Sequence, residues 1–130
     1  MTTTIADVLA SAAHYHVEAA DCFDFAARIP DGAVNLLWLD GPYNMGKAEW
    51  DTFPSVDAFL AFYDRVLVEA RRVLAPNGSL YVCTQPDVGD LLSVRVRGRF
   101  NVLNRIRWVK DAGWHKKAER EALRGYLSGW

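Results

Sequence analysis

The sequence predicts one α/β domain with a doubly wound, mainly parallel sheet, and three observations lead to that fold class. Short apolar segments alternate along the chain with segments of helical periodicity, as in strands joined by crossover helices. Residues 33–39 are almost all apolar, which is typical of a strand buried on both faces of a parallel sheet. The 130 residues, 51% of them hydrophobic, suffice for one modest core and not for two.

Apolar spacing and turn residues give the order of the elements. We predict strands over residues 15–20, 33–39, 79–83 and 102–109, and helices over residues 21–29, 55–74 and 114–127. Residues 87–99 fit a helix or an alternating strand, and we favour the helix. Ser55 is a candidate N-cap of the long helix, and Pro76-Asn77-Gly78 marks its end. Ligands of parallel sheets lie at the carboxyl ends of strands, where Asp21, Asp40 and Thr84 fall.

Composition excludes several classes of protein. Cys22 and Cys83 lie far apart and fit neither a disulfide framework nor a metal-ligand spacing, which favours a reducing compartment and predicts no metal site. The N-terminus lacks the basic and apolar segments of a signal peptide, and no apolar run is long enough to span a bilayer. We therefore expect a soluble, cytoplasmic protein with no membrane partner.

Charge is distributed unevenly along the chain. Acidic residues predominate up to Ser93, whereas from Val94 onward ten Arg and Lys residues face three Asp and Glu residues. Residues 94–130 are therefore a basic C-terminal segment of the single domain 1–130. Such a segment suits contact with a polyanion, and a solvated helix beside an edge strand is the alternative explanation.

The loop after residues 33–39 is the most informative stretch, and one explanation of it is a phosphate-binding loop. Gly41, Gly46 and Lys47 have the spacing of that motif. Ala48, however, lacks the hydroxyl that the motif offers to magnesium. A phosphate loop also runs directly into a helix, whereas residues 49–54 intervene here.

The other explanation is methylation of an exocyclic amino group on a base that has been extruded from a duplex. The amino nitrogen is a poor nucleophile because its lone pair is delocalised into the ring. The Asp40 carboxylate and the Gly41 carbonyl can accept the amino hydrogens and localise that pair. Pro42 stiffens the turn, and Tyr43 offers a flat face for stacking. Taken singly, Asp40 could equally be an ordinary loop carboxylate and Tyr43 a loop aromatic.

The segment Asp40-Gly41-Pro42-Tyr43-Asn44 resembles the D-P-P-Y-N motif of amino-group DNA methyltransferases, which act on adenine N6 or cytosine N4. The stretches around Asp21-Cys22, around Glu49-Trp50-Asp51, and over 72–82 and 104–108 resemble further blocks of that family. The resemblance covers about residues 15–108. It implies the sheet of the S-adenosylmethionine-dependent methyltransferases, here incomplete.

The resemblance also implies roles for individual residues. Asp40, Gly41, Pro42 and Tyr43 would form the catalytic loop, and Asp21, Cys22 and Asp40 would contact S-adenosylmethionine. Double-stranded DNA would be the partner. We expect phosphate contacts from the basic segment, at Arg105, Arg107, Lys110, Lys116, Lys117 and Arg120.

The reaction implied is methyl transfer to a DNA base, with adenine N6 favoured because Asp rather than Ser opens the tetrapeptide. Cytosine N4, protein amides and a non-enzymatic DNA-binding remnant are the alternatives. Gly41 replaces the first proline of the family motif, which predicts a less restrained loop. The F-x-G-x-G loop for the methionine end is absent from the sequence. We therefore expect the amino-terminal part of a longer enzyme, inactive alone, with exposed apolar surface that favours dimerisation or poor solubility.

Overall fold

The computed structural model describes residues 3–108, which divide into two compact units. Unit 1 contains residues 3–39 and 64–82, and unit 2 contains residues 40–63 and 83–108. The elements in chain order are α1 (Ile5–Leu9), α2 (Cys22–Ala27), β1 (Val34–Leu39), a 3₁₀ helix (Glu49–Asp51), α3 (Val56–Val73), β2 (Leu74–Val82) and α4 (Pro86–Arg97). Helix α3 belongs to unit 2 up to Tyr63 and to unit 1 thereafter.

The sheet in the described part of the chain consists of β1 and β2, which pair in parallel. Leu36 to Leu39 are in register with Ser79 to Val82, and Val34 pairs with Leu74. Between these pairs β1 advances by two residues and β2 by five, so the Pro76-Asn77-Gly78 turn bulges out of β2. The parallel pairing agrees with the predicted α/β class. The remainder of the predicted doubly wound sheet stays a prediction.

Capping residues explain where the helices begin. Asp21 is the N-cap of α2 and accepts hydrogen bonds from the Phe23 and Asp24 amides at 2.8 and 3.3 Å. Ser55 Oγ accepts from the Ala58 amide at 3.1 Å, which confirms the predicted cap of α3. Residues 86–97 form a helix with proline in its first turn, so the helical interpretation of this segment is confirmed.

Helix α1 was not predicted from the sequence, although it has a local signal. Thr4 Oγ1 accepts from the Asp7 amide at 3.2 Å, and the Asp7 carboxylate accepts from the Thr4 amide at 2.8 Å. This reciprocal capping box satisfies two backbone donors at the start of a helix of only five residues.

In unit 1, Arg72 links the end of α3 to the segment that leads into β1. Its guanidinium donates to the carbonyls of Ala26 and Ile29, each at 2.8 Å, and to the Asp31 and Glu69 carboxylates, also at 2.8 Å. The buried apolar residues of this unit, on α3 and at the start of β2, are Leu67, Ala70, Val73 and Leu74. The planar, multiply bonded guanidinium thereby fixes where β1 begins.

In unit 2, an aromatic cluster packs beside the loop that follows β1. Phe59 and Tyr63 are almost completely buried on α3, with ring centroids 4.9 Å apart. Phe53 lies 5.4 Å from Phe59 and 5.5 Å from Phe62. Val88 and Leu92 of α4 are also buried. This core gives the loop a rigid support within its own unit.

Two predicted strands are wrong. Residues 15–20 have no regular secondary structure and join no sheet in the described part of the chain, and Val17 is 84% exposed. Residues 102–108 are also irregular, while Val109 lies outside the described residues. A segment with an apolar alternation forms a strand only when a neighbouring strand forms backbone hydrogen bonds with it. Among the described residues, only β1 and β2 are paired in this way.

The prediction that residues 33–39 are buried on both faces also differs from the structure. Leu36 and Trp38 of β1 are 59% and 57% exposed. Trp38 stacks on Tyr81 of β2 with ring centroids 5.4 Å apart. The long helix also ends one residue earlier than predicted, because Leu74 opens β2. Between residues 3 and 108, no helix is both long and apolar enough to cross a membrane.

Candidate active site

The candidate site is the loop from Asp40, which directly follows β1, to the 3₁₀ helix at Glu49–Asp51. Two of its residues have left-handed backbone conformations, Asn44 with φ 58° and Gly46 with φ 68°. Asparagine and glycine adopt this region at the lowest cost. The two reversals allow several successive backbone N–H groups to point toward one place.

That place is the carboxylate of Asp51, which is only 3% exposed. Oδ1 accepts from the amides of Tyr43 at 2.6 Å and Asn44 at 2.9 Å. Oδ2 accepts from the amides of Met45 at 3.1 Å and Lys47 at 3.3 Å. Burial alone raises the pKa of Asp51, but the four N–H donors outweigh burial and hold the pKa below its ordinary value. Asp51 is therefore an internal anion bound by the loop.

This arrangement contradicts the phosphate-loop explanation. The backbone N–H groups that would cradle a phosphate are already bound to the Asp51 carboxylate. The loop also enters a three-residue 3₁₀ helix, Glu49–Asp51, rather than the start of a long α-helix.

Asp40 and Tyr43, predicted as the catalytic pair, are in contact. The Tyr43 hydroxyl donates a hydrogen bond to Asp40 Oδ1. Burial, together with the Asp40 carboxylate, raises the pKa of Tyr43, so the phenol stays protonated and remains a donor at neutral pH. Gln85 Nε2 donates to the Tyr43 carbonyl at 3.1 Å, so Tyr43 is held at its amide, its carbonyl and its hydroxyl.

The structure gives a steric reason for Gly41 at a position where the motif has proline. Tyr63 Oη, on α3, donates to the Pro42 carbonyl at 3.0 Å. A Cβ atom on residue 41 would lie 3.0 Å from that hydroxyl oxygen. Gly41 therefore leaves room for the Tyr63 hydroxyl. The loop lacks the first proline ring of the motif, but it is restrained by the hydrogen bond that Tyr63 donates and by those that the Asp51 carboxylate accepts.

Asp21 and Cys22, predicted to contact the cofactor, belong to unit 1 and both are exposed. Asp21 Oδ1 caps α2, whereas Oδ2 accepts no hydrogen bond from residues 3–108. Capping and ligand binding are therefore compatible, because one carboxylate oxygen remains open to a ligand hydroxyl.

The predicted DNA-contacting residues are only partly described. Arg105 donates to Asp90 Oδ1 at 2.6 Å, in an ion pair whose two side chains are mostly exposed. Arg107 is exposed. Four of these residues lie outside the described part of the chain, namely Lys110, Lys116, Lys117 and Arg120.

Three residues that shape the loop were missed by the sequence analysis as site residues. Asp51 and Gln85 lie in segments of ordinary polarity, where a sequence does not show which carboxylate or amide folds inward. Tyr63 did carry a signal, because a tyrosine in an otherwise apolar helix stripe must find a hydrogen-bond partner for its hydroxyl.

A parallel strand pair with an acidic and aromatic loop directly after its first strand is typical of α/β proteins, which commonly bind ligands at such loops. Residues 34–126 match the family described as DNA methylase. The type II methyltransferase M1.MboII of Moraxella bovis is 37% identical over 110 residues, which cover 84% of this chain and 40% of that protein. The chain therefore belongs to the DNA methylase family, and the resemblance to amino-group DNA methyltransferases is confirmed.

Two further relatives show the same partial coverage. The DNA adenine methyltransferase YhdJ of Escherichia coli (strain K12) is 31% identical over 88 residues, which cover 65% of this chain and 30% of that protein. The type II methyltransferase M.BglII of Bacillus subtilis is 30% identical over 105 residues, which cover 73% of this chain and 29% of that protein. The chain thus spans less than half the length of each of these relatives.

Proposed function

We propose that the protein to which this chain belongs transfers a methyl group from S-adenosylmethionine to an exocyclic amino nitrogen of a base in duplex DNA, with adenine N6 as acceptor. The observation that carries this proposal is the Asp40–Tyr43 pair in a loop held by Asp51. Membership of the DNA methylase family supports it. The name of one relative, a DNA adenine methyltransferase, favours adenine.

Asp40 would activate the acceptor nitrogen. Its Oδ1 accepts from the Tyr43 hydroxyl, whereas Oδ2 accepts no hydrogen bond from residues 3–108 and is open to an amino group. A hydrogen bond from the amino group to Oδ2 localises the nitrogen lone pair toward the incoming methyl group. The nitrogen would then gain the methyl group as the carbon–sulfur bond of the donor breaks to leave a neutral thioether, and it would release one proton to solvent. The Tyr43 ring would stack on the extruded base and fix its plane.

S-adenosylmethionine would supply an electrophilic methyl group on its sulfonium sulfur. Asp21 and Cys22 would hold the adenosine, with Asp21 Oδ2 open to a ribose hydroxyl, and Asp40 would also contribute to the cofactor site. This assignment follows the family resemblance, and the exposure of both side chains is compatible with it. Phosphate contacts by the basic segment and a cytoplasmic location belong to the same proposal.

The test is methyl transfer by the full-length protein from a tritiated donor to unmethylated duplex DNA of mixed sequence, followed by nucleoside analysis. The expected product is N6-methyladenine. N4-methylcytosine would overturn the choice of base and leave the chemistry standing. Label in protein without label in DNA would refute the proposal, and DNA binding without any transfer would indicate a non-enzymatic DNA-binding protein.

A further inference from the structure

Within residues 3–108, the Asp51 carboxylate has no partner side chain and instead binds four backbone amides. These amides belong to Tyr43, Asn44, Met45 and Lys47. A buried carboxylate is costly unless such donors compensate it, so the loop and the anion stabilise each other. Tyr43 is the last residue of the proposed catalytic tetrapeptide, and the other three donors follow it in the loop.

Tyr43 connects the Asp51 carboxylate to the proposed catalytic residue Asp40. The shortest of the four bonds, at 2.6 Å, holds the Tyr43 amide, and the hydroxyl of the same residue donates to Asp40. Displacing the Tyr43 backbone would therefore move both the ring that stacks on the base and the donor bound to Asp40. Asn44 Oδ1 also accepts from the Phe53 amide at 3.2 Å, which attaches the far side of the loop to the aromatic cluster.

We propose that Asp51 is a positioning residue for methyl transfer, because its carboxylate fixes the backbone of residues 43–47 and so sets the placement of Tyr43 against Asp40. The inference rests on the proposed function for its catalytic consequence. Its structural part, that Asp51 holds the loop, stands on the four hydrogen bonds alone.

Asp51→Asn is the informative substitution. The amide has nearly the same size, but its NH₂ group replaces one acceptor oxygen and faces backbone N–H donors. Glu49→Gln is the matched control, since it removes the same charge two residues away in the same 3₁₀ helix, from an exposed side chain. A general effect of charge on DNA binding would appear in both variants, and an effect of loop placement only in Asp51→Asn.

Two measurements on the full-length protein test the proposal. Amide hydrogen exchange should become faster at Tyr43, Asn44, Met45 and Lys47 in Asp51→Asn and stay unchanged in Glu49→Gln. The single-turnover rate of methyl transfer should fall by about 10²-fold in Asp51→Asn, as for a misplacement of about 1 Å, while the Kd for DNA changes little. In a Tyr43→Ala background the same substitution should cost much less, because both changes act through Tyr43.

Unchanged amide hydrogen exchange in Asp51→Asn would overturn the proposal, and so would a wild-type rate of methyl transfer in that variant. An Asp51→Asn substitution that lowers the rate equally in the wild-type and Tyr43→Ala proteins would also overturn it. If Asp51→Asn does not fold, Asp51→Glu decides, because it keeps the charge and displaces the carboxylate by one methylene; a wild-type rate there would refute positioning. A wild-type protein that labels no DNA would refute the proposed function, and the exchange rates would then show separately whether Asp51 holds the loop.

Discussion

Tyr43 shows how one residue is fixed by groups from three parts of unit 2. Its amide donates to Asp51, its carbonyl accepts from Gln85 and its hydroxyl donates to Asp40. The first two contacts fix the backbone and the third orients the side chain. For the proposed stacking on a base, the ring is therefore already oriented, and such preorganisation would lower the entropic cost of binding.

Substitution of Tyr43 should separate its ring from its hydroxyl. Tyr43→Phe keeps the stacking face and frees Asp40 Oδ1, so we expect single-turnover rates within about tenfold of wild type. Tyr43→Ala also removes the face, and base–aromatic stacking is worth about 1–3 kcal/mol, so kcat/KM should be lower than that of Tyr43→Phe by a further factor of roughly 5 to 150. Methyl-transfer kinetics on duplex DNA provide the measurement. Equal activity of the Phe and Ala variants would contradict a stacking role.

At the residue scale, the candidate catalytic residues Asp40 and Tyr43 could be picked out from the sequence, whereas the groups that hold them could not. Asp40, Gly41, Pro42 and Tyr43 are adjacent, so their spacing and residue types are visible in the sequence. Asp51 acts over eight positions through two left-handed residues, Asn44 and Gly46. Whether the Glu49 or the Asp51 carboxylate turns toward the loop depends on backbone dihedral angles that residue types alone do not specify.

At the element scale, β2 continues through a turn that the sequence predicted as a boundary. Gly78 lies in this bulge, and a Cβ atom there would be 2.8 Å from Leu74 Cδ2 and 3.0 Å from the carbonyl oxygens of Ala75 and Val34. Two of these three neighbours are backbone atoms, which cannot rotate away. The close approach of the two strands therefore depends on the missing side chain.

Gly78→Ala should lower the free energy of unfolding by about 1–3 kcal/mol, as overpacking against backbone does. Gly89→Ala is the matched control, because Gly89 lies within α4 and its Cβ would meet only Thr84 Cγ2, at 3.4 Å. There the gain in helix propensity should raise stability by about 0.5–1 kcal/mol. Urea denaturation of both variants would show opposite signs. A neutral Gly78→Ala would mean that the bulge can relax.

Residues 15–20 contact α2 through side chains instead of forming the predicted strand. Arg28 binds Glu18 through its two terminal guanidinium nitrogens, and His16 Nε2 contacts Glu18 Oε2 at 2.7 Å. The hydrogen bond from Arg28, with a further one from His16, lowers the pKa of Glu18 to about 2. His16 also stacks on Phe25. Such polar side-chain contacts have no period, so hydropathy could not distinguish this segment from a strand.

The lowered pKa of Glu18 predicts how the contribution of this contact depends on pH. The ionised form is favoured on folding, so its stabilisation is present above the ordinary pKa of about 4.5 and is lost as the pH falls toward about 2. Glu18→Gln should therefore lower the denaturation midpoint slightly at pH 7 and by clearly less at pH 2. Urea titrations at both pH values test this, with Glu49→Gln as an exposed control. A constant difference at both pH values would contradict the account.

At the scale of the whole molecule, the α/β class, the parallel pairing and the order of the central elements were predictable because they depend on hydrophobic periodicity. Which further segments join β1 and β2 in the sheet was not predictable, because hydrophobic periodicity does not specify which segments pair. Leu36 and Trp38 remain exposed on β1 in the described part of the chain. The prediction of exposed apolar sheet surface agrees with this, whereas dimerisation stays a prediction.

The basic segment gives a prediction about DNA affinity. Lys116, Lys117 and Arg120 are expected to contact phosphates, so changing all three to Gln should weaken binding similarly on unrelated sequences. The slope of log Kd against log salt concentration should become shallower by about 0.9 for each lost contact. Binding titrations between low and moderate salt measure it. An unchanged slope would mean that these side chains are simply solvated.

In the proposed function, Asp40 activates the amino nitrogen and does not contribute mainly to DNA affinity. The most direct measurement compares the wild-type full-length protein with Asp40→Ala in single-turnover methyl transfer and in DNA binding on the same duplex. Transfer by Asp40→Ala should fall by at least about 10²-fold with a nearly unchanged Kd for DNA. Transfer by Asp40→Ala at the wild-type rate would contradict this role, and so would a loss of transfer fully explained by weaker DNA binding.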